Sequence, residues 1–209
     1  MNIYLSEDEQ VRKIKDWVKK NGIAVVLGIA LFFAASFCWR YWQQYQNRQS
    51  VQASSLYEQV IAAHISHRYE DLKLYAQRLR DDYAATVYAS LASMVAAREA
   101  IAQKDLSQAE KDLQWTVDHG KDKGFKQIAR IRLARILVEE KQAQRALKVL
   151  EVIDDKAYLA KIYEARGDIY LSTGDKNLAM QEYQLAAKSA EDNSFTKEIV
   201  AMKLNQLVP

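Results

Sequence analysis

The chain has 209 residues, 49% of them hydrophobic, with 30 Lys and Arg against 27 Asp and Glu. A net charge of only +3 provides no strongly basic face for a nucleic acid. The single cysteine excludes an internal disulfide, and one proline with six glycines leaves few helix breakers, so composition points to an all-helical chain.

The first twenty residues read as a basic helix. Ser6 with Glu9 three positions on matches a capping box. Val11, Ile14, Trp17 and Val18 then fall on one helical face, with basic residues opposite. Such a helix suits a membrane interface, and a solvated basic tail accounts for the same residues equally well. Residues 1–21 are therefore assigned to a cytoplasmic amphipathic tail.

Residues 22–42 are the most apolar stretch. From Gly22 through Trp39 there is no charged side chain. Twenty helical residues at about 1.5 Å each span roughly 30 Å, the thickness of a bilayer's hydrocarbon core. Trp39, Arg40, Tyr41 and Trp42 close the far end, where amphipathic rings sit at a membrane interface. Arg12, Lys13, Lys15, Lys19 and Lys20 precede the span, and only Arg40 and Arg48 follow it closely. This bias predicts a cytoplasmic N-terminus and a C-terminal bulk on the other side. A cleaved signal peptide fits less well, because Phe37, Cys38 and Trp39 carry the apolar run past the small residues Ala34-Ala35-Ser36. Phe37 before Cys38 also disfavours a lipoprotein signal. A buried helix of a soluble domain would rarely be so long and so free of charge.

Residues 43–209 carry nearly balanced charge, 24 basic against 23 acidic side chains beyond Trp42. Their clearest motif runs from about Ala160 to Glu191. Tyr163, Arg166, Gly167 and Tyr170 are followed by Gly174, Ala179 and Tyr183, at the spacing of a tetratricopeptide repeat. Small residues at Gly167 and Ala179 would let two helices approach, Tyr170 and Tyr183 would fill the space between them, and Gly174 would supply the turn. A second unit, Arg130, Leu133, Ala134, Leu137, Ala146 and Leu150, precedes it by about one repeat. A weaker third comprises Ala96, Ala97, Ala100, Ala109 and Leu113, with a loop expected over Asp118 to Gly124. A degenerate pair is expected over 51–66 and 70–82. The fold class is thus all-α: a single N-terminal transmembrane helix followed by an α-solenoid of divergent tetratricopeptide-like helical hairpins.

Repeat phase also locates a candidate partner-binding groove. Its inner face would comprise Leu91, Met94, Val95 and Arg98 of one unit, with Ile128, Ile131, Arg132 and Arg135 of the next. Apolar side chains flanked by arginine suit an extended segment of another protein. Packing against neighbouring repeats is the competing role for the same residues.

Taken end to end, the chain resembles the YfgM family of ancillary SecYEG translocon subunits of Gram-negative inner membranes. The matching residues include Ile3-Tyr4, Gln10-Val11, Asn21-Gly22, the Trp39-Arg40-Tyr41-Trp42 box, Leu133-Ala134-Arg135, Gly167, Gly174-Asp175-Lys176 and Met202-Lys203-Leu204-Asn205. The resemblance implies a type II inner-membrane protein with a periplasmic repeat domain. Its implied partners are the SecYEG translocon, the chaperone PpiD, exported client polypeptides and the stress regulator RcsB. It carries no catalytic residues and no cofactor.

No phosphate-binding glycine loop, thiolate cluster or nucleophile elbow occurs in the sequence. His64 and His67 could share a helix face, but a solvated surface explains them better than a metal. Glu164 and Asp168 lie one turn apart and read as solvated carboxylates. Rival functions are a membrane-tethered scaffold for envelope assembly or division, an enzyme of unrecognised type, and a soluble secreted binding protein.

Overall fold

The structure is a computed structural model that describes residues 7–191 and 194–207. Ser6 of the expected capping box lies outside them. Regular structure among the described residues is entirely helical.

Helix α1 runs Glu7–Ile65 without a break. The basic tail, the apolar stretch and the first helix expected of the repeat region therefore lie on one helix, and the backbone marks no boundary at residue 21 or 42. By contacts the chain divides between Arg48 and Gln49 into two compact units.

Among the described residues the first unit is the helix alone. Its apolar side chains project from every face, with Ile23 83%, Phe37 76% and Leu31 70% exposed. The helix is long and apolar enough to cross a membrane, and none of that stretch is buried by protein. Soluble monomers rarely expose so large an apolar surface, whereas lipid tails are a matching solvent for it. Trp39, Tyr41 and Trp42 are all exposed at its far end.

The second unit is a row of helical hairpins. The last turns of α1 pair with α2 (Tyr69–Asp82), α3 (Val87–Ala102) with α4 (Leu106–His119), α5 (Lys123–Glu139) with α6 (Ala143–Val149), and α7 (Leu159–Ser172) with α8 (Lys176–Ser189). Helix α9 (Phe195–Leu207) packs on α7 and α8. These pairs occupy the positions of the repeat units expected from the sequence. The expected loop over Asp118 to Gly124 is shorter than anticipated. Helix α4 reaches His119, and Asp122 caps α5 by accepting from Phe125 N at 2.9 Å, which draws Gly124 into the first helical turn.

Close approach within each hairpin follows from small residues at matching steps. Ala97, Ala134 and Gly167 on the first helices are buried, as are Ala109, Ala146 and Ala179 on the second. Gly167 is the extreme case. A Cβ there would lie 2.5 Å from the ring of Tyr183, which is itself 0% exposed.

The four hairpin turns share one geometry. His67 (φ 53°), Lys104 (φ 63°), Lys141 (φ 62°) and Gly174 (φ 89°) are all left-handed. In each, this residue's N–H bonds three residues back and the next N–H bonds five residues back, as in His67 N to His64 O (3.1 Å) and Arg68 N to Ala63 O (2.9 Å). This pair of bonds is the Schellman arrangement that closes a helix C-terminus. Only Gly174 announced itself in the sequence, because the other three positions carry side chains.

Apolar packing is segmented along the row. One cluster joins the end of α1 to α2 and α3, around Leu56, Val60, Leu72 and Leu79. A second runs from α3 to α7, around Leu113, Leu133, Leu137 and Ile162. The third joins α7, α8 and α9 around Tyr183 and Val200. Helices α2 to α8 each touch only their own hairpin partner and the neighbouring hairpins or, at the end of the row, α9, which is the mark of a repeat architecture.

Candidate interaction groove

Ion pairs pin the helices both between and within hairpins. Arg80 Nη1 on α2 reaches Asp112 Oδ1 on α4 at 2.5 Å, with Asp112 almost fully buried. Burial pushes the Asp112 carboxyl upward, against the opposing pull of Arg80 and a hydrogen bond from Gln108. Arg130 holds Asp154 at 2.5 Å, and buried Gln127 Oε1 accepts from Asp154 N at 2.7 Å, which fixes the segment between α6 and α7. Arg166 reaches Glu182 at 2.6 Å. Burial raises the Glu182 carboxyl while Arg166 opposes it.

Of the two carboxylates read as solvated in the sequence, Asp168 keeps a partly exposed side chain and Glu164 does not. Glu164 is buried, and Lys203 Nζ of α9 donates to Glu164 Oε1 at 2.8 Å and to Asp168 Oδ1 at 2.7 Å. Tyr183 Oη donates to the same Asp168 oxygen at 2.6 Å. These groups fasten α9 to α7. His64 likewise serves packing: its Nδ1 lies 3.0 Å from Glu99 Oε2. His67 occupies a turn, and among the described residues no group of three or more His, Cys, Asp or Glu is placed to hold a metal.

Three arginines are placed differently. Arg98 on α3, with Arg132 and Arg135 on α5, lines a hollow of about 400 Å³ floored by Met94, Ala97, Leu113 and Ile136. None of the three has an acidic partner among the described residues. Burial, together with the nearby charges of Arg135 and Arg98, lowers the pKa of Arg132. Arg132 and Arg135 also border a hollow of about 250 Å³ with Ile128, Ile131, Tyr158 and Lys161. Arg135 borders a third, of about 240 Å³, against Ala165 and Ile169 of α7. Arg135 borders all three, so they adjoin one another along α3, α5 and α7.

The structure thus brings Met94, Arg98, Ile128, Ile131, Arg132 and Arg135 together. Leu91 and Val95, expected beside them, turn instead into packing. Leu91 meets the middle cluster and Val95 the first. Met94, Ile128 and Ile131 also touch the middle cluster, but they line the hollows as well. Sequence reasoning missed Ile101 and Ile136, although each lies one turn from an expected arginine, and also Tyr158 and Lys161, which precede α7 or occupy its first turn.

Stacked helical hairpins with an open groove along their first helices define a tetratricopeptide-like interaction module, here continuous with an apolar N-terminal helix. A family described as tetratricopeptide repeat-like domain matches residues 15–208, taking in both parts. The chain is 32% identical over 207 residues to the ancillary SecYEG translocon subunit of Escherichia coli (strain K12), covering 99% of each chain. It is 28% identical over 203 residues to the subunit of that name from Haemophilus influenzae, covering 97% of this chain and 98% of the relative. It is 27% identical to the one from Aggregatibacter actinomycetemcomitans over the same length and coverage. The chain belongs to the tetratricopeptide repeat-like family of ancillary SecYEG translocon subunits.

Proposed function

We propose that this chain is a membrane-anchored interaction module that associates with the SecYEG translocon and helps pass exported polypeptides onward. The carrying observation is a groove with an apolar floor and unpaired arginines, on a repeat domain joined to one apolar helix. Relatives matching the chain from end to end bear the translocon-subunit name. The apolar helix anchors the chain in the inner membrane. The basic residues before it favour a cytoplasmic N-terminus and a periplasmic repeat domain. Residues 1–21 then form the cytoplasmic tail, 22–42 the span and 43–209 the periplasmic part. PpiD and RcsB join as proposed partners, through family resemblance. Grooves of stacked helices hold segments of other proteins, and no step of bond making is required of this one.

Affinity purification in mild detergent tests this reading. Translocon and chaperone subunits should accompany the wild-type chain, whereas cell-wall enzymes in their place would favour a scaffold for envelope assembly or division. The double substitution Arg132→Glu with Arg135→Glu should abolish crosslinking to those partners. Unchanged crosslinking by a folded variant removes the groove from the proposal.

A further inference from the structure

We infer that the groove selects extended segments in which carboxylates are interspersed with apolar side chains. This rests on the reading of the groove as a polypeptide-binding surface and adds which polypeptides it takes. The half-buried cations that hold the hairpins together are engaged: Arg80 by Asp112, Arg130 by Asp154, Arg166 by Glu182 and Lys203 by Glu164. Arg98, Arg132 and Arg135, all exposed, differ. They converge on one hollow without an acidic partner among the described residues. Like charges gathered over an apolar floor repel one another, and an incoming carboxylate relieves that repulsion while accepting paired hydrogen bonds from a guanidinium fork. A bare anion would leave the floor of Met94, Leu113 and Ile136 uncovered. The three adjoining hollows ask for an elongated occupant, and an extended chain turns alternate side chains to one face about every 6.6 Å.

The test uses the full chain in detergent micelles and three fluorescent peptides sharing one apolar pattern. The first carries Asp and Glu between the apolar residues, the second Asn and Gln, and the third Lys. The acidic peptide should bind at least about tenfold tighter than its amide counterpart, with an advantage that shrinks as salt rises. In Arg132→Gln with Arg135→Gln the two should bind alike. These arginines make no ion pair among the described residues, so the variant should fold, which circular dichroism checks. Equal affinity of the acidic and amide peptides for the wild-type chain overturns the selectivity and leaves the groove reading in place. A preference that survives the double substitution also overturns it, as does displacement of the acidic peptide by an equal concentration of inorganic phosphate. If none of the three peptides binds, the peptide-groove reading falls together with the selectivity.

Discussion

Gly167 and Gly174 stand seven residues apart in one hairpin and meet different needs. Gly167 is helical, and its missing Cβ makes room for the Tyr183 ring. Gly174 has nothing within 4 Å of a built Cβ, and its requirement is the positive φ of 89°. Gly167→Ala should therefore act by overpacking and cost about 1–3 kcal/mol, whereas Gly174→Ala should cost only about 1–2 through backbone strain. The converse applies at Lys104 and Lys141, which hold the same left-handed turn with a side chain. Replacing each by glycine relieves strain against the entropy glycine loses on folding, and should raise stability by about 0.5–1 kcal/mol. Thermal melts of the detergent-solubilised chain, followed by circular dichroism, separate the two Gly→Ala variants from the two Lys→Gly variants by sign. Such turns were legible in the sequence only at Gly174, because lysine carries no signal for a left-handed backbone and histidine only a weak one.

Between elements, the fold depends on charges that reach across hairpins. Arg80 meets Asp112 from 32 residues away, and Lys203 meets Glu164 from 39. Removing one partner of a buried pair strands the other, so Arg80→Ala and Lys203→Met should each destabilise by about 3 kcal/mol in denaturant titrations. The two should differ in character. Lys203→Met frees α9 from α7, so amide exchange should rise first over residues 195–207, whereas Arg80→Ala loosens α2 against α4. Glu182 adds a pH dependence. Burial raises its carboxyl above the ordinary value of 4.5, so the folded chain keeps a proton that the unfolded chain has already released. Its favourable contribution is full below the ordinary value and is lost as pH rises through the raised one. The stability difference between wild type and Glu182→Gln should therefore shift against the wild type as the pH increases from about 4 to about 7, in paired melts. Wild-type and variant curves that stay parallel over this range would contradict the assignment.

For the whole molecule, the central expectation is topology. Reporter fusions before residue 22 and after residue 42 should show the N-terminus on the cytoplasmic side and the repeat domain on the other. Both follow from five basic residues ahead of the span against two close behind it. Exchanging that bias, by moving lysines from 12–20 to 43–48, should invert some of the chains. A fully unchanged orientation would mean that the repeat domain, rather than charge, decides it.

Sequence alone settled what depends on local composition and period. The charge-free run from Gly22 to Trp39 needs no partner to be recognised as apolar, because its preference for lipid is a sum over single side chains. The hairpins of α3 to α8 were readable because small residues recur wherever two helices must touch, and because glycine and proline are scarce elsewhere. Tertiary structure alone decided which charges are satisfied. Nothing near Glu164 in the chain marks it as buried beneath Lys203, and nothing near Arg132 tells that it stays unpaired beside Arg98 and Arg135. Coulomb interactions depend on distance in space, and the stacked hairpins bring together charges that lie 32 to 39 residues apart in sequence, as at Arg80–Asp112 and Lys203–Glu164.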